Sequence, residues 1–134
     1  MNKQEQAAYS ARELAELCAA VANDRKADNI KILEMSGLSV IADYFVLCTA
    51  NSEPHIKAIA NRIGKEVREH CAIRPKSVEG TAASEWILMD YFSVIVHIMT
   101  PAMRDNFRLE SLWGDAPEID ALKTVEAVIE KIKA

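Results

Sequence analysis

The sequence predicts a mixed α/β domain, and three observations carry that prediction. Tyr44–Thr49 and Val94–Met99 are nearly unbroken apolar runs of strand length, the pattern of strands covered on both faces. Apolar residues at helical spacing follow the first run, so the step from Tyr44 to Val78 is long enough for a crossover. Residues 86–89 and 94–99 are separated only by the tight turn at 90–93, which makes a hairpin. A sheet holding both kinds of connection is mixed, with helices flanking it in two or three layers.

The elements follow in order. Residues 1–9 form a polar, flexible tail. Ser10 and Glu13 make a capping box, and Leu14, Leu17, Cys18 and Val21 then recur along a first helix to about Arg25. Ile30 and Ile32 alternate with Lys31 in a short strand, and Ser36-Gly37 turns the chain. After the strand at 44–49, Asn51 or Ser52 caps a long helix with Pro54 in its first turn. Ile56, Ile59, Ala60, Ile63 and Val67 line one face of that helix, which ends near Cys71, before Pro75. Residues 77–80 form a short strand leading into a glycine turn, and the hairpin follows. Pro101 opens a short helix, continued after a break at 109–113. Beyond Ala116-Pro117 a final helix carries Leu122, Val125, Ile129 and Ile132 on one stripe. The division is therefore a tail at 1–9, an α/β domain at 10–118, and a C-terminal helix at 119–134 packing on or extending from it.

At 134 residues, half of them hydrophobic, one domain can build its own core without disulfides. Cys18, Cys48 and Cys71 sit within apolar periodic segments, form no Cys-x-x-Cys pair and read as small buried hydrophobes of a reducing cytoplasm. The polar start is no signal peptide, and no run approaches the ~18 apolar residues of a membrane span. Net charge is −4, and the basic residues are spread along the helices without a block of like sign. That argues against gripping nucleic acid through phosphates and for a basic protein as partner.

The residue types needed for catalysis are not grouped. The Thr49–Ser52 turn stands where many α/β proteins bind phosphate, but it has no glycine, and helix capping explains it better. His97 has no neighbour at metal-ligand spacing, and His55 and His70 are too far apart along one helix to converge on an ion. Asp43, Asp90 and Asp115 could supply carboxylates for magnesium-assisted transfer, yet no Asp-x-Asp occurs to hold two ions ~4 Å apart. What stands out instead is the stretch from Asp90 to Asp115. Helical spacing groups Leu109, Leu112 and Trp113, with Glu110, Asp115 and Arg104 close by in sequence. A large aromatic among acidic neighbours makes a docking surface, and Trp113 is expected to be partly exposed at its rim. Trp86 opens a strand and stays open between core and surface.

The motifs Asp43-Tyr44-Phe45-Val46, Thr49-Ala50-Asn51-Ser52 with His55, Val78-Glu79-Gly80, Trp86 to Tyr91, Val94 to His97, and Arg104 with Leu109 to Trp113 together resemble the ribosomal silencing factor family, RsfS or Iojap. The resemblance spans about residues 10–116. It implies a fold similar to nucleotidyltransferases but without their catalytic carboxylates. It also implies a cytoplasmic, often homodimeric protein that is not an enzyme and uses no cofactor or metal. Members bind the large ribosomal subunit through its protein uL14 and obstruct joining of the small subunit, repressing translation when nutrients are scarce, with little direct nucleic-acid contact. On this reading the partner-binding residues are Trp86, Asp90, Tyr91, His97, Arg104, Leu109, Glu110, Leu112, Trp113 and Asp115. Phe92-Ser93 and Asp105-Asn106-Phe107 depart from the usual pattern. The runner-up function is a nucleotidyltransferase-like enzyme acting through scattered carboxylates such as Asp43 and Asp90.

Overall fold

Local sequence signals set most element boundaries in the computed structural model, which describes residues 9–39, 41–108, 111, 113–121 and 123–133. Helix α1 spans Ala11–Asp24. The Ser10 hydroxyl accepts from the Glu13 N–H at 3.1 Å, and the Glu13 carboxylate accepts from the Ser10 N–H at 2.9 Å. Strand β1 (Asp28–Glu34) and strand β2 (Tyr44–Thr49) follow, then helix α2 (Glu53–Cys71), capped by Ser52 and led by Pro54. Strands β3 (Ser77–Thr81), β4 (Trp86–Asp90) and β5 (Val94–Met99) precede helix α3 (Pro101–Phe107). A two-residue strand β6 (Glu118–Ile119) and helix α4 (Val125–Lys133) complete the described elements.

The six strands form one mixed sheet in the order β3-β4-β5-β2-β1-β6. Only β2 and β5 pair in parallel, in register from Tyr44↔Val94 to Thr49↔Met99; the other neighbours are antiparallel. The crossover through α2 therefore passes over two strand positions and lands on the edge strand β3. Strand β6 falls outside the sequence expectation, because two residues carry no periodicity. It is held by pairing of Ile119 with Ile32 and Glu118 with Leu33.

Alternation along the strands divides the core in two. Ile32, Val46, Cys48, Ile87, Met89, Val94, Val96 and Ile98 point at the helices, and Leu33, Phe45, Leu47 and Ile95 point to the opposite face. Helix α1 lies between α2 and α4 and on the sheet, and every residue from Leu14 to Ala22 is buried. That exceeds the single stripe its leucines suggest. Alanines at 15, 19, 20 and 22 have no bulk to hold the neighbouring helices away. Cys18, Cys48 and Cys71 are all buried, and desolvation pushes the Cys71 thiol up to about 11 and Cys48 to about 12. Two of the positive-φ positions bear on the β3–β4 and β4–β5 turns. Gly80 has φ +81°, and a Cβ there would meet the Trp86 carbonyl oxygen at 2.1 Å. Phe92, in the β4–β5 turn, has φ +69° with its N–H donating to Asp90 Oδ1 at 2.8 Å.

Candidate docking face

The face of the sheet away from the three long helices is only partly covered, and its residues are laid out by strand register. On β4, Trp86 and Leu88 point to this side; their partners on β5 are Met99 and His97. Helix α3 begins directly after β5, because Thr100 caps it (Oγ1 accepts from the Met103 N–H at 3.4 Å) and Pro101 favours its first turn. Its spacing then places Met103 and Phe107, four residues apart, beside Trp86.

Arg104 fixes this helix to the sheet. It is only 5% exposed, and its guanidinium donates to Thr49 Oγ1 at 3.0 Å and to the Asn29 carbonyl. That carbonyl belongs to a bulge in β1 between Asp28 and Lys31, where Asn29 adopts φ +50°. An arginine expected to meet a partner is thus committed inward, since a buried guanidinium must find acceptors within the protein.

Aromatic rings run across the face in sequence. Phe107 meets Trp86 with centroids 4.8 Å apart, Trp86 meets His97 at 5.8 Å, His97 meets Phe45 at 5.1 Å, and Phe45 meets Trp113 edge-on at 6.2 Å. The Trp86 indole N–H donates to His97 Nδ1 at 3.2 Å. Since Nδ1 accepts, the neutral ring carries its proton on Nε2, which is buried and has no hydrogen-bond partner among the described residues. Burial pushes the His97 pKa down to about 4. Between β3, β4 and α3 lies an open groove of about 350 Å³ lined by Glu79, Gly80, Ser84, Trp86, Leu88, Met103 and Phe107. Phe107 stays 52% exposed at its edge.

The expected site residues divide by position. Trp86 is half-buried in the groove wall, Trp113 is half-buried against Phe45, and Asp115 is exposed. Asp90 is spent on the β4–β5 turn. Tyr91 is 2% exposed and belongs to the helix-side core, so it is removed from any surface role; its strand has ended, and its side chain turns to the other face. His97 lies below the surface, under Trp86. Leu109, Glu110 and Leu112 lie outside the described residues. Leu88, Met103 and Phe107 line the groove without having been singled out. The usable signal was the Thr100-Pro101 cap, which fixes the phase of the helix carrying Met103 and Phe107.

Other candidate chemistry reduces to local structure. At the β2–α2 turn, Ser52 Oγ accepts from the His55 N–H at 3.3 Å and His55 Nδ1 from the Asn51 N–H at 3.0 Å. These are helix caps. The group of metal-capable side chains among the described residues is Glu66, Glu69 and His70, neighbours on one turn of α2, and it includes neither Asp43 nor Asp90. Among the described residues no helix is long and apolar enough to cross a membrane.

This architecture matches known proteins over most of the chain. The family profile described as "Ribosomal silencing factor during starvation" matches residues 8–133 and so includes α4. Ribosomal silencing factor RsfS of Halalkalibacterium halodurans is 39% identical over 111 residues, covering 83% of this chain and 94% of the relative. RsfS of Bacillus subtilis is 38% identical, covering 81% and 92%. A crystal structure of a Chromobacterium violaceum protein superimposes with a TM-score of 0.75 at 29% identity, covering 88% of this chain and 98% of that one. The chain is a member of the ribosomal silencing factor family.

Proposed function

We propose that this protein docks its uncovered sheet face on protein uL14 of the large ribosomal subunit and thereby blocks joining of the small subunit. Family membership supports the ribosome as target. The observation that carries the docking face is the groove between Trp86 and Phe107, where two large aromatics meet at 4.8 Å with their planes tilted by 52° and one of them stays half exposed. Exposed aromatics beside a preformed apolar groove are the usual anchors of protein interfaces. No enzymatic step enters this reading: the domain acts by its bulk, in the cytoplasm.

The free protein is proposed to be a homodimer. Ile41 and Phe92 are 67% and 63% exposed, and their loops are joined by the Asp43 N–H donating to the Ser93 carbonyl. A second copy would cover this apolar end of the sheet.

Co-sedimentation with isolated subunits tests the proposal. The protein is expected to pellet with large and not small subunits, and excess protein to lower the yield of joined particles. Phe107→Ala should weaken large-subunit binding by about 2 kcal/mol, roughly thirtyfold, while melting stays near wild type. Equal pelleting with both subunits, or unaffected joining at full occupancy, overturns it.

A further inference from the structure

The helix side of the sheet carries a second groove, of opposite character. Between α2 and the edge strand β3 lies a hollow of about 460 Å³ whose apolar floor includes Val78 and Met89 and whose walls carry Lys65, Arg68 and Arg74. Around the shoulder of α2 an adjoining depression is lined by Arg25, Arg62 and Lys65, and Arg25 Nε is buried without a hydrogen-bond partner among the described residues. No carboxylate lines either hollow. Lys65, Arg68 and Arg74 make no ion pair within 4.0 Å among the described residues. The sequence hides this, because helical spacing gathers basic residues that acidic ones separate along the chain.

We propose that this groove binds the phosphate backbone of duplex RNA. Asn61, Lys65 and Arg68 line the hollow from one stripe of α2, and Lys57, outside the hollow in a depression it shares with Glu53, extends that stripe, so the four residues follow at steps of four, four and three. The stripe is about 16 Å long at 1.5 Å per residue. That length matches a row of phosphates and exceeds what one mononucleotide presents. Neither hollow has an aromatic ring in its lining, so unpaired bases would find nothing to stack on, and contact to backbone remains. Asn61 stands among the cations with the donor and acceptor that a 2′-hydroxyl requires. The groove also shares β3 with the docking face: Val78 lines the basic side, and Glu79 lines the aromatic side. On the ribosome reading above, a protein held on one side of this edge and ribosomal RNA on the other would clamp the same strand.

The test is fluorescence anisotropy of a fluorescein-labelled 20-base-pair RNA duplex with the full chain. Three phosphate contacts predict a log–log salt slope of about −2.7, a roughly fortyfold loss of affinity between about 50 and about 200 mM salt. The triple variant Lys65→Gln, Arg68→Gln, Arg74→Gln should bind at least tenfold more weakly and flatten that slope. Lys133→Gln, an uncharging on α4 at an exposed position, should leave binding near wild type. If the triple variant does not fold, Arg68→Gln alone must still lower the slope by about one. Absence of duplex binding at low salt, equal weakening by the α4 variant, tighter binding of a 20-nucleotide poly-U strand, or displacement by ATP at equal phosphate concentration each overturns the proposal. Because the readout is naked RNA, it fails or holds independently of subunit pelleting.

Discussion

The indole N–H of Trp86 donates to Nδ1 of His97 at 3.2 Å, and this bond ties the groove wall to the core beneath it. The imidazole can accept only while neutral. Burial lowers its pKa from the usual 6.5 to about 4. The unfolded chain therefore binds a proton that the folded one does not, so stability falls as pH drops from about 6.5 toward 4. At pH 4.5 this one group should cost about 2–3 kcal/mol relative to pH 7. Urea unfolding at both pH values, for wild type and His97→Gln, measures it. The glutamine keeps an acceptor and cannot titrate, so its pH-dependent loss should be smaller by that amount. Equal losses would mean His97 is not the proton acceptor.

Glu16 ties the last helix to the first. Its carboxylate side chain is fully buried, with Lys123 Nζ at 2.6 Å, Arg12 Nε at 3.3 Å and Lys131 Nζ at 3.9 Å. Lys123→Met should cost about 1–3 kcal/mol, because it removes the shortest partner of a charge that stays buried. Adding Glu16→Leu should restore part of the loss, since an apolar pair needs no compensation. Denaturant midpoints of both variants decide; a single variant as stable as wild type shows that Arg12 and Lys131 suffice.

The contrast between these two sites shows what a sequence discloses. Helices and strands were readable wherever burial repeats with a helical period, as from Ile56 to Val67, or runs unbroken over strand length, as in Val94–Met99. Caps such as Ser10 with Glu13 even gave boundaries. The register was not readable, and register is what brings Trp86, four rings and α3 together. Arg104 looked like a surface cation because its acceptors, Thr49 and Asn29, are 55 and 75 residues away. Glu16 carries no local signal of its burial, because the lysines that cover it are more than 100 residues on. Trp113 was expected to be partly exposed, and it is half-buried on Phe45.

Phe92 is held in the left-handed region at φ +69° although it is 63% exposed and little packed, its ring lying under Lys76 Nζ at 5.2 Å. A non-glycine residue there is strained by about 1–2 kcal/mol. Phe92→Gly should therefore raise the unfolding free energy of the monomer by about 1 kcal/mol, less the lost cation–π contact. If the same ring lies in a dimer contact, the variant should also sediment increasingly as monomer. Unchanged sedimentation together with higher stability would remove Phe92 from the dimer proposal.

Trp113 stands at the far end of the aromatic row from Phe107. It meets Phe45 edge-on at 6.2 Å, Phe45 meets His97, and His97 holds Trp86, so Trp113 can affect the groove without touching a partner. A partly exposed ring in one aromatic pair is worth less than a fully buried tryptophan. Trp113→Ala should thus cost about 1–3 kcal/mol of stability, short of the ~3–5 kcal/mol of a core truncation. Large-subunit affinity should fall less than for Phe107→Ala, and Trp113→Phe should recover most of both losses by keeping an edge against Phe45. The opposite pattern has a definite meaning. A Trp113→Ala protein that melts normally yet binds more weakly than Phe107→Ala would make Trp113 a direct anchor and move the centre of the docking face toward Asp115.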